Sequence, residues 1–271
     1  MLRFETVGGF DDRALLGKVV QVGPQKVIGV IGARAIHMVK AADRGKVVKR
    51  DAMRIDIGAK NKDAAAAKVK VGDYVAFVTA YEEHDAAGSR TAIGKAFDNR
   101  AGCAALVELL RGERFPFDLI AAFTVQEEVG LRGARIVGAA VRPDAALVLE
   151  CTPAYDLPDD SDVSPNVALG RGASVYVMDA RTIQDPRLVA HVTRTADAQG
   201  IPYQIRQPGG GGTNTGAIQR GAAGIPVATI AVPGRYAHTP TMMISLDDYA
   251  SVVRLAEATL RGLTADLVRR Q

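Results

Sequence analysis

Short apolar runs separated by turn residues fill the first third of the chain, and the spacing becomes helix-like after it. Met53, Ile55 and Ile57 alternate with Arg54 and Asp56, the pattern of a half-buried strand. Residues 16–22 and 26–31 are apolar runs on either side of Gly23-Pro24, and 69–71 and 74–78 flank Gly72-Asp73. Both dipeptides are turn signals between strands. Residues 1–7 read as the interior of a strand, and the Ala-rich stretch 63–68 as a short helix. Several short strands joined by such turns predict a small barrel or sandwich over residues 1–92.

From residue 93 to 271, strands and helices alternate. Asp98-Asn99-Arg100 opens a helix with Cys103, Leu106, Val107 and Leu110 on one face and Gly112 at its end. An apolar strand is expected at 118–126, a helix at 131–141 and a strand at 145–149 running into Glu150. The next helix is bracketed by Asp185 as cap, Pro186 at its first position and Gly200 at its end. Residues 225–232 read as another strand. Ser245 caps a last helix that places Tyr249, Val252, Val253, Ala256 and Leu260 together. The alternation predicts an α/β fold with a largely parallel sheet flanked by helices, preceded by the β-rich domain. Gly209 to Gly212, after Pro208, reads as a loop in close approach to something else.

Composition narrows the function. With 34 basic and 30 acidic residues the net charge is +4, too balanced for a nucleic-acid partner. No apolar run is long enough for a membrane span, and no secretory signal precedes the first motif. The two cysteines, Cys103 and Cys151, lack Cys-x-x-Cys spacing, which fits a reducing cytoplasm, and both read as small buried fillers.

The chemistry concentrates where strands end. Glu127 and Glu128 follow an apolar run and precede Gly130. Doubled carboxylates there call for a cation, because an unpaired buried charge costs several kcal/mol or more. On an extended segment the pair would point in opposite directions, one toward a metal and one toward a water. Asp98, Glu150 and His238 stand at comparable positions, where α/β sheets collect ligands. Taken singly, Asp98 reads first as a helix cap, Glu150 as half of a surface ion pair and His238 as a loop histidine. Their joint placement favours a site for Zn²⁺, Co²⁺ or Mn²⁺. A glycosidase pairing of Glu127 with Glu150 is the weaker reading, since the chain has no Trp to stack on sugar.

Three segments, Gly94-Lys95-Ala96-Phe97-Asp98-Asn99-Arg100-Ala101-Gly102, Gln126-Glu127-Glu128-Val129-Gly130 and Arg235-Tyr236-Ala237-His238-Thr239-Pro240, closely resemble the M42 metallo-aminopeptidases. The resemblance runs over essentially the whole chain, and residues 1–92 resemble the family's inserted dimerisation domain. It implies two divalent ions, with Asp98 shared between them. Glu128 and His238 would complete one ion's protein ligands and Glu150 would hold the other. Glu127 would act as general base. Gly212, Thr213, Asn214 and Arg235 would line the substrate pocket, with Asn214 where Asp is common and Met242 where Glu is often found. It further implies short-peptide substrates, a cytoplasmic location and a homo-oligomer of dimers reaching a dodecamer.

One motif of the family has no counterpart. Its upstream His-x-Asp is absent, since none of the four histidines, His37, His84, His191 and His238, is followed two residues later by Asp. The sequence therefore reads as starting just inside the insertion domain. One metal position keeps three protein ligands and the other only Asp98 and Glu150, so one tightly held ion is expected. The alternative is a non-catalytic homologue acting in assembly.

Overall fold

Gly23 and Lys26 both adopt left-handed backbone angles (φ 69° and 53°). They close the turn that folds β1 (Val19–Val22) back on β2 (Val27–Gly32). This computed structural model describes residues 1–86, 88–158, 167–207, 211–222 and 224–269. They form two units, residues 1–81 with 238–241, and residues 82–237 with 242–271.

In the smaller unit β3 (Arg54–Asp56) and β4 (Val75–Phe77) complete an antiparallel sheet of order β3-β2-β1-β4. The alternation read from the sequence is realised. Val20, Val22, Ile31, Met53, Ile55 and Ile57 enter one core, while Val19, Ile28 and Val30 face outward. Residues 1–7 contribute a single bridge, Leu2 to Ile55. Asn61 caps α1 (Lys62–Ala66) by accepting from the Ala64 N–H at 2.8 Å. The strand expected at 69–71 is a turn instead. Lys70 N–H donates to Asp73 Oδ2 (2.8 Å) and Asp73 N–H to the Lys70 carbonyl, which diverts the backbone from a ladder. The described strands make an open sheet; no closed barrel forms among them.

The larger unit starts with the hairpin β5 (Glu82–Ala86) and β6 (Ser89–Gly94), so residues 82–92 belong with its sheet. There follow α2 (Phe97–Arg111), α3 (Arg132–Val141), β7 (Ala146–Pro153) and β8 (Ala173–Tyr176). Next come α4 (Pro186–Gln199), β9 (Tyr203–Arg206), α5 (Thr215–Ile218) and β10 (Val227–Arg235). β11 (Met242–Ser245), α6 (Leu246–Arg261) and α7 (Ala265–Val268) end the chain. The sheet order is β5-β6-β11-β10-β8-β9, with β7 on β10.

This sheet is mixed, not largely parallel. Only β7–β10 and β8–β9 run parallel. After β10 the chain turns through 236–241 and returns antiparallel as β11, which leads to the β5–β6 hairpin. β10 is buried from Val227 to Gly234, as a strand covered on both faces must be. The bracketed helix is α4: Asp185 accepts from the N–H groups of Arg187 and Leu188, Pro186 opens it, and Gly200 ends it at φ 59°. Ser245 likewise accepts from Asp248 N–H at the start of α6, which buries Val252, Leu255, Ala256 and Leu260.

Two expectations fail here. Residues 118–126 pair with no described strand. Helix α2 buries Ala101, Gly102, Ala105 and Leu109, while Cys103, Val107 and Leu110 are exposed and Leu106 is half-buried. Close approach to β7 selects the small residues: a β-carbon on Gly102 would sit 2.5 Å from the Leu149 carbonyl oxygen.

Candidate metal centre

Asp98 lies in the first turn of α2, where its backbone and that of Asn99 depart from helical angles (ψ 107° and 45°). Ala96 before it is left-handed (φ 57°). Asn99 ties this turn to β7: its Nδ2 donates to the Leu149 carbonyl (2.9 Å) and its Oδ1 accepts from Gly102 N–H (3.1 Å). Leu149 immediately precedes Glu150, so the two acids approach through this one side chain.

Glu127 and Glu128 sit in a turn, not on a strand. Gln126 is left-handed (φ 59°), and the Glu127 carbonyl accepts from the N–H groups of Gly130 and Leu131. Strand alternation therefore does not set their directions. The turn leaves Glu127 half-buried and Glu128 exposed. Bulky left-handed residues are uncommon and gather at functional sites, and Gln126 and Leu131 (φ 57°) bracket this turn.

The larger unit brings its four predicted acids together. A carboxylate oxygen of Asp98 and one of Glu128 lie within 4.8 Å of each other. Glu150 is 4 % exposed. Burial pushes its carboxyl well above the usual range, and the negative charges of Asp98, Glu127 and Glu128 push it further. Cys151 N–H donates to Glu150 Oε1 (3.2 Å), but the buried Oε2 has no hydrogen-bond partner among the described residues. Converging carboxylates with an orphaned buried oxygen suit a hard or borderline divalent cation. The same burial and charge raise the Cys151 thiol.

His238 occurs in the turn joining β10 to β11, itself left-handed (φ 60°). Its Nδ1 lies 3.1 Å from the Gly9 carbonyl, which can only accept. The proton is thus on Nδ1 and the acceptor lone pair of the neutral ring on Nε2, the arrangement that orients ligating histidines. Two of the other histidines have structural settings. His191 Nε2–H donates to the Thr259 carbonyl (2.9 Å), and His84 lies 3.8 Å from Glu82 in the hairpin.

The expected substrate-loop residues fall on a rigid turn. Thr213 N–H and Oγ1 both donate to Asp179 Oδ2 (3.1 and 3.0 Å), and Gly212 packs on the Arg181 side chain. Asn214 donates to Thr124 Oγ1 (3.1 Å), while its buried Oδ1 has no hydrogen-bond partner among the described residues. Pro208, Gly209 and Gly210 of the glycine loop lie outside the described residues. Arg235 makes a two-pronged pair with Asp156 (2.7 and 2.7 Å). Burial would raise Asp156, but the Arg235 hydrogen bond and charge, with Leu169 N–H, hold it below the usual range. Asp156 and Asp179 were not singled out from the sequence. Their partners are remote in sequence or recognisable only once the turn is built.

The model of the family described as M42 glutamyl aminopeptidase matches residues 1–255. The chain belongs to the M42 aminopeptidase family. It is 32% identical to the putative aminopeptidase FrvX of Escherichia coli, over 98% of this chain and 76% of that protein. The TET aminopeptidase of a marine-sediment Thaumarchaeota archaeon superposes with a TM-score of 0.93 at 35% identity, over 98% of this chain and 76% of that one. The TET1 peptidase of Pyrococcus horikoshii superposes at 0.80 with 32% identity, covering 96% and 77%; it can assemble into a tetrahedron or a large octahedral shell. The M42 chain here thus spans about three quarters of the length of these relatives. It is a metallo-aminopeptidase by family, and no helix among its described residues is long and apolar enough to cross a membrane.

Proposed function

We propose that this M42 chain releases N-terminal residues from short peptides at the Asp98–Glu127–Glu128–Glu150 cluster. The observation that carries the reading is the convergence of those acids, with the buried Glu150 Oε2 lacking a hydrogen-bond donor. Asp98, Glu128 and His238 would hold one Zn²⁺, Co²⁺ or Mn²⁺ ion, and Asp98 with Glu150 a second. Such cations supply Lewis acidity toward the peptide carbonyl and lower the pKa of water. Glu127, half-buried beside them, accepts the proton of the attacking water and returns it to the departing amine nitrogen. Asn214 and Thr213 position the peptide's first residue. Asn214 Oδ1 is an acceptor suited to the free α-ammonium. Asp156 keeps the Arg235 fork fixed at the end of β10.

The smaller unit is proposed to pair two copies, which then build a larger homo-oligomer such as a dodecamer. Val19 and Val30 are direct cross-strand neighbours, and with Ile28 they expose an apolar stripe on the outer face of the sheet (43, 42 and 55 % exposed). Exposed apolar patches of this kind mark association surfaces.

The test is a calorimetric Zn²⁺ or Co²⁺ titration alongside hydrolysis of aminoacyl-p-nitroanilides. Glu127→Gln should keep metal binding and lose activity by about 10²–10⁴-fold. Glu128→Ala should lose the tighter ion. Absence of metal binding by the wild-type chain would overturn the reading, as would a Glu127→Gln variant of unchanged rate.

A further inference from the structure

Asp179 is a buried carboxylate that the proposed metal chemistry does not use. It is 4 % exposed. Its Oδ1 accepts from Arg181 N–H (2.7 Å), and its Oδ2 from Thr213 N–H and the Thr213 hydroxyl (3.1 and 3.0 Å). Two of these donors are backbone amides and the third is a hydroxyl, so no basic side chain is among them. Only a carboxylate serves both sides, because an amide at 179 would aim its NH2 either at Arg181 N–H or at the Thr213 donors. The turn at 179–182, closed by Asp179 N–H on the Thr182 carbonyl (2.9 Å), thus docks on the turn at 212–216. Glycine stands where the two touch: a β-carbon on Gly212 would run into the Arg181 stem, and one on Gly216 would lie 2.8 Å from Thr182 Oγ1.

The contact continues into the sheet. Thr213 Oγ1 lies 2.9 Å from Thr215 Oγ1, which lies 2.7 Å from Thr229 Oγ1 on β10, and Thr215 and Thr229 are wholly buried. A hydroxyl has one hydrogen and a carboxylate can only accept, so the row has one direction. Thr213 donates to Asp179, Thr215 to Thr213 and Thr229 to Thr215. Between Thr213 and Thr215 stands Asn214, whose Nδ2 donates to Thr124 Oγ1 (3.1 Å) and whose buried Oδ1 has no hydrogen-bond partner among the described residues. An acceptor buried without a donor is costly, and a bound ammonium would complete it. It discriminates only if it is held in one place. We infer that Asp179 is a positioning residue for the aminopeptidase reaction: it anchors Thr213 and thereby holds Asn214 where the peptide's first residue docks. This rests on Asn214 receiving the α-ammonium, as proposed, and is independent of which ion is bound.

Amide exchange and 1H–15N spectra of the full chain read the turn without turnover. Asp179→Asn should speed exchange at Thr213 and Thr215 by about tenfold or more and shift the Asn214 side-chain amide resonances. In aminoacyl-p-nitroanilide hydrolysis, Asp179→Asn and Thr213→Val should raise KM by about tenfold or more with kcat within about twofold, because proton transfer at Glu127 is untouched. Thr213→Ser, which keeps both donors, should recover most of the loss; a role in packing alone would make the Ser and Val variants alike. Should Asp179→Asn not fold, the Thr213→Val and Thr213→Ser pair carries the same comparison. Unchanged Asn214 resonances in Asp179→Asn would overturn the proposal, as would an unchanged KM in a variant whose turn exchanges faster. Asn214→Ala separates the two levels. If it raises KM while Asp179→Asn and Thr213→Val do not, the anchoring alone fails; if it leaves KM unchanged, the assigned role of Asn214 fails and the anchoring with it.

Discussion

Gly102→Ala separates two terms of opposite sign. Gly102 is inside α2, where replacing Gly by Ala ordinarily stabilises a helix by about 0.8–1 kcal/mol. The structure predicts the reverse. The added β-carbon would lie 2.5 Å from the Leu149 carbonyl oxygen, 2.9 Å from its carbon and nearer still to Asn99 Oδ1. The carbonyl belongs to β7, a strand held against β10 from Ala146 to Pro153, so α2 must give way. Overpacking of this kind costs about 1–3 kcal/mol. Displacement also strains the two Asn99 hydrogen bonds, each contributing about 0.5–1.5 kcal/mol. Set against the propensity gain, the net loss is about 1–4 kcal/mol. At about 2–4 °C per kcal/mol for a chain of this order, the midpoint should fall by roughly 2–16 °C.

The assay is urea and thermal denaturation followed by far-UV circular dichroism in the presence of chelator, so that metal affinity does not enter. A second reading comes from the same variant. Asp98 is four residues before Gly102 and Glu150 follows Leu149, so moving α2 off β7 separates the two carboxylates. Zn²⁺ affinity should fall together with the midpoint. A Gly102→Ala protein at or above the wild-type midpoint would refute the reasoning and show that the helix–strand spacing has slack.

Three further outcomes are expected. Asp185→Ala removes the α4 cap and the Arg187 fork (2.7 and 3.1 Å) and should cost about 1–2 kcal/mol in urea denaturation, with Asp185→Asn recovering most of it. Burial pushes Asp248 up to about 6 although the N–H groups of Gly170 and Gly172 donate to it at 2.7 Å. Its folded pKa being raised, its contribution is fully present below about pH 3.8 and lost as pH rises through 6. The stability of wild type relative to Asp248→Asn should thus decline by on the order of 3 kcal/mol between pH 4 and 7, and a flat difference would contradict the assignment. Cys103 is exposed and Cys151 buried with its thiol raised, so a thiol reagent should titrate one group per native chain and two in denaturant.

What the sequence made legible was local. Asp185, Pro186 and Gly200 delimit α4 because cap, first turn and terminator act within a few residues of the helix they bound. Ser245 does the same for α6. Asp98, Glu127, Glu128 and Glu150 stood out because acids beside apolar runs are costly without a cation. Sheet direction was not legible, since the return of β11 against β10 depends on the turn at 236–241 and not on strand composition. Asp156, Asp179 and Asp248 escaped notice for a related reason. Each clamps backbone or a guanidinium whose position follows only from the folded chain.

Several of the errors in reading burial fall in one place, although Val107, Leu110 and Val125 lie outside it. The sequence pattern assigns Cys103 and Leu106 to a buried helix face and residues 118–126 to a buried strand. In the structure Cys103, Leu106, Ile120 and Phe123 all border the same cavity, and Cys103, Ile120 and Phe123 are exposed. Helix α2 packs its small residues on β7, as the close contact at Gly102 demands, and this turns its larger apolar residues away from that strand. Random failure of periodicity would distribute such residues over the surface, where single exposed apolar side chains are ordinary. Here Cys103, Leu106, Ile120 and Phe123 converge on one cavity, because α2 spends its small residues on the contact with β7.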